Sequence, residues 1–243
     1  MPYFIIVVLQ VLCVLHVINQ RKERWWIWLI IFVPVLGSIV YIASEVLRLR
    51  DLSNVKQDIN QIINPRGRIK QLENRLAFAN THQNKVMLAD AYLAIEQTEK
   101  SIKLYESSLE GLYKDDPYVH TQLVSAYYLL GNPEQAVAKA HRVLANKDFQ
   151  KSPARLHYAL ALEALGNIDA AEKELEALDT PYAGFDNRIA YGQFLMRHQK
   201  LEKATTLFEE MLSEYHHLNK MEKRKAKKWF NQAQEALSKL QPS

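Results

Sequence analysis

Cysteine is almost absent from this 243-residue chain: Cys13 stands alone, inside an apolar run. A single thiol excludes an intrachain disulfide and any zinc site built on several thiolates. Glycine (7) and proline (8) are sparse as well, and the chain after residue 47 is charged and helix-friendly. A strong charge of one sign is also missing. The formal net charge is only +4, and acidic residues alternate with basic ones nearly everywhere. A nucleic-acid binder concentrates its positive charge on one face or tail, so no nucleic-acid partner is expected. There is no P-loop, no GxSxG turn, no HExxH and no glycine-rich dinucleotide loop. His216 and His217 are neighbours, and on a helix they point about 100° apart and cannot chelate together. Asp115-Asp116-Pro117 reads as the turn opening a helix, with Asp complementing its dipole. The expectation is a chain without catalytic residues, metal or cofactor, and not an enzyme.

What is present begins with two long apolar runs. Pro2 to Ile18 is interrupted only by Gln10 and His16, and Trp25 to Ala43 carries no charge. Between them lies a polar turn with Arg21, Lys22, Glu23 and Arg24. A spanning helix needs about 20 apolar residues to cross roughly 30 Å of hydrocarbon, a length the second run meets and the first nearly meets. Trp25, Trp26 and Trp28 open the second run and Tyr41 lies near its end, where interfacial aromatics prefer to sit. A cleaved signal peptide fits poorly, because the charges follow the apolar run and no small-x-small site precedes Arg21. The pattern predicts a transmembrane helical hairpin over residues 1–47. Pro34 and Gly37 would form a kink or packing notch against the first helix.

His16, the basic turn, the Trp pair and Pro34-x-x-Gly37-x-x-x-Tyr41 together resemble the two-helix module at the N-terminus of bacterial cardiolipin synthases and other phospholipase D-type proteins. The resemblance covers roughly residues 3–47. It implies an anchor, and the chemistry of that family belongs to later HxKxxxxD motifs, which this sequence lacks after residue 50. The expected localisation is therefore the bacterial inner (cytoplasmic) membrane, multi-pass with two spans in the lipid bilayer. The basic residues on the two sides are nearly balanced, and they place the soluble domain on the cytoplasmic side.

Residues 48–80 read as a helical connector. Leu52, Val55, Ile59 and Ile62 form one stripe, Asn64-Pro65-Arg66-Gly67 breaks it, and Ile69, Leu72, Leu76 and Ala79 form a second. A stalk and a leading helix is one reading. The other is a dimerising helix, and with it a homo-oligomer, or basic contact with anionic lipid through Arg48, Arg50, Arg66, Arg68 and Lys70.

From residue 81 the chain repeats itself. Leu88-Ala89-x-x-Tyr92, Leu123-Val124-x-x-Tyr127, Tyr158-Ala159-x-x-Leu162 and Tyr191-Gly192-x-x-Leu195 recur at intervals of 35, 35 and 33 residues. Each is followed by a second set: Ser101/Tyr105/Ser108, Ala136/Ala140/Val143, Ala171/Leu175/Leu178 and Ala204/Phe208/Met211. Leu130-Gly131-Asn132 and Leu165-Gly166-Asn167 form turns between the sets, with glycine suited to a left-handed helix end. The first and last turns have Ile95-Glu96-Gln97 and Gln199 instead. This pattern resembles the tetratricopeptide repeat, a helix–turn–helix unit of about 34 residues, over roughly residues 82–215. The expected fold is all-α: a transmembrane hairpin, then an α-solenoid of tetratricopeptide-like helix pairs over 81–243, closed by a capping helix. In that last helix Trp229, Ala233, Ala236/Leu237 and Leu240 share one face. Its lysine-rich start (Lys223, Arg224, Lys225, Lys227, Lys228) reads as solvated.

The resemblance implies a concave face lined by the first helix of each pair, which holds a peptide or partner helix. Register places Asp90, Leu93, Tyr118, Thr121, Ser125, Tyr128, Leu160, Glu163, Gln193, Met196 and Arg197 there. The clamp by which some members of the family read a C-terminal carboxylate would fall on Val86, Asp90, Gln122, Pro153 and His157, so it is absent. The function expected is a membrane-anchored scaffold or adaptor that binds a protein partner. The alternative, from the anchor alone, is an accessory or regulatory factor of envelope lipid metabolism.

Overall fold

The computed structural model describes residues 65–240. By its contacts the chain divides into two units, Met1–Arg68 and Ile69–Ser243. All regular structure among the described residues is helical: α1 (Pro65–Phe78), α2 (His82–Ala94), α3 (Thr98–Ser108), α4 (Pro117–Leu129), α5 (Pro133–Ala140), α6 (Lys147–Lys151), α7 (Ala154–Ala164), α8 (Ile168–Glu176), α9 (Phe185–Arg197), α10 (Leu201–His217) and α11 (Lys220–Leu240), with one 3₁₀ turn at Gly111–Tyr113.

The starts of these helices follow from short polar side chains that take up orphan backbone N–H groups. Thr81 Oγ1 accepts from the Asn84 N–H at 3.2 Å. Asp116 accepts from the N–H groups of Tyr118 and Val119 at 2.9 and 3.2 Å, with Pro117 just inside the helix. Asn132 caps α5 and Asn146 caps α6 in the same way.

The helices pack as pairs: α2 with α3, α4 with α5, α7 with α8 and α9 with α10, each pair then meeting the next. The turn inside every pair has one geometry. Glu96, Gly131, Gly166 and Gln199 all have positive φ, at 62°, 78°, 77° and 58°. In each, the next residue's N–H reaches back to the helix: Gln97 to Tyr92, Asn132 to Tyr127, Asn167 to Leu162 and Lys200 to Leu195, all at 2.9 Å. These are four Schellman endings. Two of them are made without glycine.

Register also decides the core. Small residues let paired helices approach, and the second sets fill the space. Ala89, Val124, Ala159, Tyr105, Ala140, Leu175, Ala204, Phe208 and Met211 are all fully buried. Gly192 lies against Phe208, whose ring would be only 2.2 Å from an added Cβ. Ile69 and Leu72 of α1 join Leu88, Ala91 and Tyr92 in one buried cluster. At the other end Ala226, Phe230 and Ala233 of α11 close the main core over α9 and α10. One interval departs from the regular plan. After Ala140 the α5 helix gives way to turns, Val143 is buried from a turn, and the short α6 inserts Phe149 edge-on to Tyr158 at 6.3 Å.

The expected multi-pass inner-membrane localisation is corrected by the helices themselves: none among the described residues is long and apolar enough to cross a membrane. α11 has the length, at 21 residues, but carries Lys220, Lys223, Arg224, Lys225, Lys227, Lys228 and Lys239. α10 is shorter and carries Glu202, Lys203, Glu209, Glu210 and Glu214. The hairpin over 1–47, with Pro34, Gly37 and Tyr41, and the connector up to residue 64 lie outside the described residues.

Candidate functional site

Five of the expected groove residues come together. Tyr128 of α4, Leu160 and Glu163 of α7, and Gln193 and Arg197 of α9 line one cleft of about 400 Å³, with Ala164 and Ala190. These residues come from the first helices of three successive pairs, so no single pair carries the site.

The centre of the cleft is a forked ion pair. Arg197 donates from Nε to Glu163 Oε1 at 2.9 Å and from Nη2 to Oε2 at 2.7 Å. His198 Nε2 lies 2.9 Å from the same Oε1. Burial pushes the Glu163 carboxyl up, but the hydrogen bonds from Arg197 and His198 outweigh it and hold the group below its ordinary value. The same fork raises Arg197. The guanidinium is half exposed, and its Nη1 protons remain for another acceptor. Tyr128 is raised by burial first and then by the Glu163 charge. Its ring stacks on His157 at 5.0 Å. Burial lowers His157, whose Nδ1 is enclosed without a hydrogen-bond partner. The cleft thus offers an aromatic wall, an aliphatic side chain and a fixed guanidinium.

The other expected positions lie elsewhere. Asp90 accepts from the Tyr105 hydroxyl and from the Tyr118 hydroxyl, the latter at 3.1 Å, forming a separate cluster between the first two pairs. Burial, followed by the Asp90 charge, pushes Tyr118 up to about 12. Thr121 Oγ1 donates to the Pro117 carbonyl at 2.8 Å, within its own helix. Ser125 is half-buried further along α4. Leu93 and Met196 pack against core clusters.

A recurrent basic position escaped the reading of the sequence, although its signal was there. Lys85, His120, Arg155 and Arg188 follow the repeat intervals, and each ties its helix to a neighbouring segment. Lys85 donates to the Ser107 carbonyl at 2.6 Å, and His120 Nε2 lies 3.0 Å from the Lys114 carbonyl. Arg155 donates to Glu174 at 2.8 Å. Arg188 is 1% exposed; it donates to Glu214 at 2.7 Å and sits 2.6 Å from Asp179. Glu214 also accepts from the Tyr182 N–H, so the charge network pins the loop before α9. Glu172 is held between Lys200 and Lys203.

No protein-family model matches the chain, and no curated protein matches it. Ten solved chains match. One is a crystal structure of BtubC (BKLC) from P. vanneervenii, with 16% identity, a TM-score of 0.48, and coverage of 74% of this chain and 88% of that one. A likeness of that degree carries no functional argument.

Proposed function

We propose that the chain is a protein-interaction scaffold or adaptor, in which α2–α3, α4–α5, α7–α8 and α9–α10 are tetratricopeptide-type units, α11 is their cap, and the α4–α7–α9 cleft takes a segment of a partner. The observation that carries this reading is the convergence of Tyr128, Leu160, Glu163, Gln193 and Arg197 from three successive pairs onto one cleft. The four identical turns support the repeat assignment, because one backbone geometry recurs whether or not glycine is present.

The chemistry suits an extended peptide. An apolar side chain would lie against Leu160 and the Tyr128 ring, and a carboxylate or carbonyl would accept from Arg197. Glu163 then acts as the strut that holds the guanidinium in place.

The test is selection of peptides from a random library on the full-length protein, followed by affinity measurement for the selected sequences. Tyr128→Ala and Arg197→Gln should each weaken binding about tenfold or more, as loss of a buried aromatic or arginine anchor does. Tyr118→Phe, in the separate Asp90 cluster, should leave it unchanged. Selected peptides indifferent to both cleft substitutions would sink the assignment.

A further inference from the structure

α11 concentrates its positive charge in its first half. Lys220, Arg224, Lys225, Lys227 and Lys228 all lie in its first half and all are exposed. Lys220 stands in the first turn, where the positive end of the helix dipole disfavours a cation. Lys220, Arg224 and Lys228 follow one another at the four-residue spacing that makes like charges repel. The one acid nearby is already used: Glu222 accepts from the Asn219 N–H at 2.9 Å, and Asn219 accepts from the N–H groups of Met221 and Glu222, a closed capping box. Lys223 is engaged with the His216 carbonyl. None of the five exposed cations has an ion-pair partner among the described residues. The arrangement opposes folding locally; only the contact of Lys228 with the Trp229 ring offsets it among the described residues, and no carboxylate does.

We infer that this face of α11 is a docking surface for an acidic, extended protein segment with one apolar anchor, separate from the α4–α7–α9 cleft. Successive cations along the stripe are about 6 Å apart, one helical turn. In an extended peptide, alternate side chains on one face are spaced by about 6.6 Å, so carboxylates two residues apart match that stripe. Met221 stands 70% exposed one turn before Arg224 and Lys225, and gives the segment an apolar contact ringed by charge. A bilayer is a poorer occupant, because the apolar face of α11 (Ala226, Phe230, Ala233) is buried in the core. A nucleic acid is poorer too. Trp229 is half-buried and the Lys228 ammonium sits 3.8 Å over its ring, which leaves no open stacking platform.

The experiment measures fluorescence anisotropy on the full-length protein with three labelled probes: a short peptide with Glu at alternate positions and one central Leu, an oligothymidylate of matched charge, and vesicles of phosphatidylcholine and phosphatidylserine. The acidic peptide should bind most tightly and weaken with added salt. The quadruple substitution Lys220→Gln/Arg224→Gln/Lys227→Gln/Lys228→Gln should weaken it about tenfold or more, while the melting temperature stays level or rises as the repulsion is relieved. The milder pair Arg224→Gln/Lys228→Gln should give a smaller loss in the same direction, and Met221→Ser should weaken binding without changing its salt dependence. In an Arg197→Gln background, which disables the cleft, the quadruple substitution should still produce its full loss, and this separates the surface from the cleft. Absence of peptide binding, binding indifferent to the charge substitutions, or tighter binding of the oligonucleotide or vesicles would each overturn the inference. So would self-association abolished by the quadruple substitution, which would make a second copy of the chain the occupant.

Discussion

Replacing Glu96 and Gln199 with glycine should stabilise the protein. Both residues sit at positive φ, 62° and 58°, in turns whose counterparts use Gly131 and Gly166 at 78° and 77°. A non-glycine residue in the left-handed region costs about 1–2 kcal/mol, because Cβ approaches the following carbonyl. Glycine removes that cost but adds backbone freedom to the unfolded chain, worth about 0.4–1 kcal/mol. Neither side chain compensates by packing, since both residues are exposed. The net expectation for Glu96→Gly or Gln199→Gly is about 0.5–1 kcal/mol of stabilisation, which for a domain of this size raises Tm by about 1–4 °C. The two turns share no partner, so the double variant should give nearly the sum. The reverse change, Gly131→Glu, should destabilise by a similar amount, with no contact to offset it because the space around an added Cβ is open. Thermal and urea melts of the full-length variants measure all of this. If Glu96→Gly leaves the midpoint unchanged or lowers it while Gly131→Glu is tolerated, the common turn geometry is not what limits these helix ends.

Gly192→Ala should destabilise despite alanine's better helix propensity. The new methyl would sit 2.2 Å from the buried Phe208 ring, and overpacking of about 1–3 kcal/mol outweighs a propensity gain of about 1; Phe208→Leu in the same chain should recover part of the loss in a denaturant melt. Arg188→Met should cost about 3–5 kcal/mol in the same assay, because it strands Glu214 and Asp179 without their buried cation. Two groups set an acid limit. The folded His157 titrates below its ordinary 6.5 because it is buried, so the native state binds the proton less readily than the unfolded one. Its contribution is complete above about pH 6.5 and declines as the pH falls through the folded value. His157→Gln should flatten the stability profile in that interval. Glu163 is also depressed, below 4.5, so its contribution is lost only at lower pH, and Glu163→Gln should remove that later decline without touching the first.

The helix pairs were readable because their signals are local. Asp116-Pro117 and Asn132-Pro133 start helices through caps that need only neighbouring backbone. The intervals 35, 35 and 33 expose the buried face, since the same small and large residues recur at each contact. Three features were not readable in that way. The break after Ala140 and the insertion of α6 bring Phe149 beside Tyr158, a contact between the inserted helix and the first helix of the next pair. The recurrent basic position has the repeat's period, yet its side chains look like surface charges until Glu174, Glu214 and two backbone carbonyls are brought beside them. Among the groove candidates, register alone could not separate Met196, which packs inward, from Arg197, which faces the cleft.

By itself the amino-acid sequence determined where helices begin, how they pair and which faces they bury, because capping and hydrophobic period act over a few residues. Tertiary structure alone decided which polar residues meet. Glu163 and Arg197 are 34 residues apart, and their fork exists only because α7 and α9 come to line the same cleft. That pairing fixes a guanidinium on the surface of the cleft, and it follows from packing distances that no local pattern encodes.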